Sequence, residues 1–182
     1  VSTSVKKFGT GSIAFDGTGD YLQLASNPNL QLNSGDFTIE TWVNFSSLAT
    51  NRGIVHFGTD LLSNYSYGVQ WASNTLYFWY TTTGSNYASK SASWTPSTNT
   101  WYHVAITRNG SNLKFFVDGT QIGTTQTLSV TLYNTSAPMV VGGSASSLPG
   151  EMQGYMDDVR ITKGYARYTA NFTAPTAALP TY

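Results

Sequence analysis

The sequence predicts an all-β protein folded as a two-sheet antiparallel β-sandwich of the jelly-roll kind. Three observations carry this. Apolar and polar residues alternate with period two in segment after segment, while helical periodicity barely appears. Tight-turn dipeptides such as Asn109-Gly110 and Asp118-Gly119 join neighbouring segments, as antiparallel hairpins require. Only 10% of the 182 residues are charged and 14% are aromatic, a profile that favours strands and turns.

Strands are expected first at Ser12 to Asp16 and Tyr21 to Leu24. FTIETWVNF then places Phe37, Ile39, Thr41, Val43 and Phe45 on one face, expected to be the core face, and Thr38, Glu40, Trp42 and Asn44 on the other. Gly53 to Phe57 follows. YGVQW and TLYFWY read as a hairpin joined by Ala72, Ser73 and Asn74, with Tyr67, Val69 and Trp71 sharing a face. Across the Asn109-Gly110 turn, Tyr102, Val104 and Ile106 match Leu113, Phe115 and Val117, and Asp118-Gly119 then turns the chain into Gln121 and Ile122.

Pro138 to Val141 and Gln153 to Thr162 bring the total to roughly a dozen strands, more than the ~10 that one twisted open sheet holds. Two sheets follow. The segments Ser46 to Arg52, Leu61 to Tyr67, Thr81 to Asn99 and Gly142 to Gly150 are polar and expected as loops. Residues 1–182 read as one domain, with 170–182 as an extended tail that lies along the body or leads to a neighbouring module.

Net charge is zero, and lysines and arginines are scattered singly, which argues against nucleic acid or an anionic membrane as partner. No apolar run approaches the ~20 residues that span a bilayer, so membrane insertion is not expected. Absence of cysteine removes disulfides and thiolate chemistry. The first residues, VSTSVKKFGTGS, lack the apolar segment of a signal peptide, and the chain reads as a piece of something longer.

Four of the nine acidic residues sit in two clusters at opposite ends, Asp16 with Asp20 and Asp157 with Asp158. A sandwich that sets its first and last strands side by side would merge them into one acidic corner.

FDGTGDYLQL, FTIETWVNF, WYHVAITRNG, LKFFVDGTQI and GYMDDVRITKGYARYTANF, in that order, resemble the laminin G-like branch of the concanavalin A-like lectin/glucanase superfamily. The resemblance runs from Phe8 to about Phe172, and the closing segment looks most like modules of bacteriophage tail and fibre proteins and of bacterial surface proteins. It implies a jelly roll with one concave face and a rim of variable loops. Members bind carbohydrates or proteins, some are enzymes, and many carry one calcium.

Glycoside hydrolysis normally needs two carboxylates across the scissile bond. The only glutamates are Glu40 and Glu151, and neither has another acid two positions away. His56 and His103 stand on expected strands without a Ser, Cys or Asp arrangement beside them, so no catalytic residue is assigned and an enzyme is not expected.

Calcium takes six to eight oxygen ligands, and Asp16-Gly17-Thr18-Gly19-Asp20 offers both carboxylates and carbonyls. Asp16, Asp20 and Asp157 form the candidate set for a structural calcium ion, which the resemblance favours. Adjacent Asp157 and Asp158 point to opposite faces of a strand, so only one joins, and Asp158 is free to pair with Arg160. The competing reading is ordinary turn chemistry, each Asp bonding its own backbone.

Sugar recognition uses aromatic faces against pyranose C–H faces, with amides and charged groups on the hydroxyls. Such residues crowd between Asn64 and Tyr87. Leu76 and Phe78 mark the core face of their strand, which leaves Tyr77 and Trp79 on the other side. Asn64, Tyr65, Tyr77, Trp79 and Tyr87 are the ligand-binding candidates, although strand aromatics also fill cores. The expected function is a non-catalytic carbohydrate-recognition or adhesion module on the outside of a cell or virion, its partner a surface glycan or polysaccharide. The alternative is a structural or protein-interaction module bound to other virion or surface proteins, such as a capsid decoration or fibre spacer. A polysaccharide-active enzyme ranks third.

Overall fold

The computed structural model describes residues 1–49, 51–60, 63–143 and 150–180. Among these, twelve strands form two antiparallel sheets of six, stacked as the expected sandwich. The first sheet runs, edge to edge, β1 (Ile13–Asp16), β12 (Gln153–Lys163), β3 (Phe37–Phe45), β8 (Trp101–Asn109), β9 (Asn112–Val117) and β10 (Thr120–Thr127). The second runs β2 (Leu22–Leu24), β11 (Met139–Val141), β4 (Arg52–Asp60), β5 (Ser63–Ala72), β6 (Thr75–Tyr80) and β7 (Ala88–Ser93). A single 3₁₀ turn, Pro28–Leu30, is capped by the Asn27 side chain.

Turn chemistry fixes the hairpins. Ser73 and Asn74 both adopt positive φ between β5 and β6, and that geometry sets Trp71 opposite Leu76. Between β8 and β9 the turn is Gly110-Ser111, one residue beyond the expected Asn109-Gly110, with Gly110 at φ 59 and Asn109 paired with Asn112; it sets Ile106 opposite Phe115 and Val104 opposite Val117. The first and last strands are neighbours, β1 against β12.

The core lies between the sheets. Phe37, Ile39, Val43 and Phe45 of β3 meet Phe57, Tyr67, Val69, Trp71, Leu76 and Phe78 across the interface, and fully burying each large apolar side chain contributes about 2 kcal/mol. Thr41, expected with the core set, sends its hydroxyl to the Asp157 carbonyl at 3.0 Å. All nine residues of β3 are buried, because its outer face is covered too.

The cover is the chain's own tail. After Gly164 the backbone crosses the outer face of the first sheet, taking hydrogen bonds from Thr38 Oγ1 to the Tyr165 carbonyl and from Thr107 Oγ1 to the Tyr168 carbonyl. The Phe172 amide bonds the Gly119 carbonyl at 2.9 Å, and a side chain at Gly119 would collide with Phe172. Residues 165–172 therefore lie along the body.

Two expected loops contain strands. Ser63 to Tyr67 belongs to β5, lengthening its hairpin with β4. ASKSAS forms β7, an edge strand paired only with β6. It shows no apolar alternation because it is largely solvated. Position 50, positions 61–62 and positions 144–149 of the expected loops, and the last two residues of the tail, lie outside the described residues.

Candidate functional site

The outer face of the second sheet is organised by the alternation of β6. Leu76 and Phe78 are fully buried in the core, so Tyr77 and Trp79 project outward. Their rings lie 5.2 Å apart at 17°, and Tyr87, from the loop before β7, meets Trp79 edge-on at 5.3 Å. The Trp79 indole N–H donates to Gln70 Oε1 at 3.0 Å, which fixes the ring. Tyr77, Trp79 and Tyr87 thus form one aromatic ridge, with Tyr87 44% exposed. Antiparallel register sets Ser91 opposite Tyr77 and Ser89 opposite Trp79, placing two hydroxyl groups along its flank.

Sequence reasoning missed Ser89 and Ser91 because β7 reads as a loop. The signal available was the small polar residues repeating with period two in ASKSAS.

The structure does not bring Asn64 and Tyr65 to the ridge. Tyr65 is fully buried, its hydroxyl hydrogen-bonded with His56 Nδ1 at 3.2 Å. The pair meets over Gly68, where a Cβ would strike both. Burial pushes the Tyr65 hydroxyl far up and the His56 imidazole down to about 4, so both are neutral at ordinary pH. Asn64, in the left-handed region at φ 53, accepts the Thr135 hydroxyl at 2.7 Å on its backbone and side-chain oxygens. It ties β5 to the segment before β11, a structural task.

At the acidic corner, β1 and β12 are adjacent, but antiparallel pairing sets Asp16 against Gln153. Asp157 is four residues further along, about 13 Å at strand rise. Its Oδ2 accepts the Lys7 and Phe8 amides at 3.0 and 3.1 Å, and its Oδ1 accepts the Asp158 amide at 3.0 Å. Asp16 Oδ1 accepts the Thr18 amide at 2.7 Å and Asp20 Oδ2 the Asp16 amide at 3.1 Å, which is turn chemistry. Asp16, Asp20 and Asp157 therefore do not fit one calcium ion, and among the described residues no group of three metal-ligating side chains forms.

Asp158 does not pair with Arg160 either. A bulge interrupts β12 between Asp157 and Arg160, with Asp158 at φ 51, and the Asp158 carboxylate instead accepts the Leu179 amide at 2.8 Å.

Arg160 belongs to a buried cluster on the outer face of the first sheet. Its Nε donates to Glu40 Oε1 at 2.8 Å, while His103 Nε2 and the Tyr168 hydroxyl donate to Oε2 at 3.1 and 2.8 Å. Burial pushes the Glu40 carboxyl up, but bonds from His103, Tyr168 and Arg160 outweigh it and leave the pKa lowered. Tyr168 stacks on Phe172 at 3.5 Å and 5°, sealing the carboxylate from solvent. Glu40 is a structural acid whose two oxygens are both engaged, while His103 Nδ1 and Arg160 Nη1 stay buried without a partner among the described residues.

The sequence profile described as Laminin_G_3, Concanavalin A-like lectin/glucanases superfamily, matches residues 16–167. The chain belongs to this family. Laminin_G_3 membership agrees with the two-sheet jelly roll. No curated protein matches the chain. Among solved structures, domains LG4-5 of the mouse laminin alpha1 chain are similar at 16% identity and TM-score 0.63, covering 90% of this chain and 46% of that one. The botulinum neurotoxin serotype G binding domain is similar at 14% identity and TM-score 0.65, covering 90% and 41%. The serotype D ligand binding domain, solved in complex with N-acetylneuraminic acid, is similar at 16% identity and TM-score 0.62, with coverage of 90% and 41%. This Laminin_G_3 chain spans less than half the length of each, and at such identities the likeness is one of fold. Among the described residues no helix is long and apolar enough to cross a membrane.

Proposed function

We propose that this domain is a non-catalytic carbohydrate-recognition module that works outside the cell, on a cell or virion surface, and holds a surface glycan at the Tyr77–Trp79–Tyr87 ridge. The observation that carries the reading is the ridge itself, three aromatic rings in a row on an outer sheet face, with Trp79 touching both Tyr77 and Tyr87. Stacked rings offer apolar faces and edges to pyranose C–H groups, and Ser89 and Ser91 supply hydroxyl groups beside them. Receptor-binding and ligand-binding domains among the similar folds support a binding role.

A glycan array probed with the isolated domain tests this. Binding to a defined glycan set, weakened about tenfold by Trp79→Ala, is the expected result, since one aromatic stacking contact has that size. A blank array, or binding indifferent to Tyr77→Ala and Trp79→Ala together, overturns it.

A second reading, a protein-interaction module such as a capsid decoration or fibre spacer, is supported by the sandwich edge where β1 and β2 end their sheets. Leu22, Leu24 and Val159 are exposed there, Leu22 and Val159 lining a groove of about 450 Å³. Concentration-dependent oligomers by sedimentation, abolished by Leu24→Lys, together with a blank array, favour that reading.

A further inference from the structure

The covered face of the first sheet holds a groove separate from the ridge. It measures about 460 Å³ and lies between the N-terminal segment and the tail, lined by Lys7, Phe8, Trp42, Trp101, Asp118 and Pro175. Its cation has no acidic partner among the described residues. The Lys7 ammonium sits 3.8 Å from the centre of the Trp42 ring, steadied because Asp157 clamps the Lys7 and Phe8 amides. Among the described residues no carboxylate comes within ion-pair distance of it.

Trp101 forms the second feature. Each of the other four tryptophans has a ring neighbour, whereas half-buried Trp101 has none among the described residues. The buried Trp42 indole N–H, in the same groove lining, has no hydrogen-bond partner. Third, Asp118 is exposed in the β9–β10 turn and held in place by the His103 amide, which donates to its Oδ1 at 2.8 Å.

We propose that this groove is a second binding site, and that it takes a carboxylated sugar. The carboxylate pairs with Lys7, the pyranose C–H face lies on Trp101, and Asp118 accepts ring hydroxyls. An unpaired ammonium beside an indole asks for an anion. Asp118 on the groove wall disfavours a dianion such as phosphate and favours a ligand that also donates O–H groups. The volume suits a monosaccharide unit.

Glucuronate and glucose, which differ in having a carboxylate or a hydroxymethyl group, are the probes. NMR titration of the intact domain should show glucuronate shifting the Trp101 indole resonance, with glucose weaker by about tenfold, the size of one charge-assisted hydrogen bond. Lys7→Gln, a surface change, should reduce glucuronate to the level of glucose, and added salt should do so progressively. Trp101→Ala, read on the Trp42 indole resonance of the same groove, should abolish both, and Trp79→Ala should change neither. Equal binding of the two sugars, no effect of Lys7→Gln, or loss of binding with Trp79→Ala overturns the proposal. That last control separates failure here from failure of the ridge.

Discussion

Each sheet of the sandwich buries a histidine on its outer surface, and the two are kept in opposite ways. His103, on the first sheet, gives its Nε2–H to a carboxylate that also takes bonds from Arg160 and Tyr168. His56, on the second, has only the Tyr65 hydroxyl at Nδ1, and the remaining buried ring nitrogen of each histidine has no partner among the described residues. The first arrangement compensates burial with charge, and the tail closes over it. The second compensates with one neutral hydrogen bond, and the imidazole stays uncharged. Equal burial of one residue type therefore gives different electrostatics, set by partners.

The largest way to test that contrast is Glu40→Gln. Breaking a buried ionic cluster from one side leaves the Arg160 guanidinium uncompensated and costs about 4 kcal/mol, read as a lower denaturant midpoint with unchanged slope. A loss under about 1 kcal/mol would mean that stacking rather than charge holds the tail.

Acid separates the two faces next. His56 has a folded pKa of about 4 against an ordinary 6.5, so below 6.5 the unfolded chain binds the extra proton and stability falls with pH until about 4. The expected loss over that window is about 3 kcal/mol. Glu40, whose pKa is lowered from 4.5, contributes stability present above 4.5 and lost as pH falls through its folded value. Thermal melts across pH should show a slope between 6.5 and 4 that His56→Gln flattens and Glu40→Gln leaves in place.

Tyr168→Phe keeps the ring stacked on Phe172 and removes one bond to the carboxylate, for about 1.5 kcal/mol. Tyr87→Ala, on the bare face, should change stability by no more than about 0.5 kcal/mol while weakening glycan binding. A stability loss as large as that of Tyr168→Phe would make the ridge a structural feature. Calcium should have the smallest effect, with chelator leaving the melting midpoint unchanged. A rise on adding calcium, lost in Asp16→Asn, would return the ion to the Asp16–Asp20 loop.

The bare face was the more legible of the two. Period-two alternation placed Tyr77 and Trp79 outside correctly, because β6 has one core face and one solvated face. On β3 the same alternation does not reveal that the second face is buried as well, Glu40 beneath Tyr168 from 128 residues further on and Trp42 beneath Lys7 and Phe8 of the N-terminal segment. Tyr65 was misplaced for a related reason. Ser63 to Tyr67 looks like a polar loop, yet it continues β5, and Gly68 makes room for the tyrosine to fold down onto His56. The acidic corner shows what adjacency alone leaves open. β1 and β12 do pair, but register decides which residues meet, and Asp16 meets Gln153.

The position of β12 also bears on the order in which the molecule can be made. It lies between β1 and β3, so these two strands wait for a segment more than 100 residues further along the chain before their sheet can close. Until then β3 presents an unsatisfied edge rich in Phe, Ile and Val, a template for pairing with another nascent chain. Non-local closure of this kind makes folding slow. A chain stopped short of β12 is expected to aggregate rather than to form a smaller sandwich, which makes the arrival of β12 the checkpoint of folding.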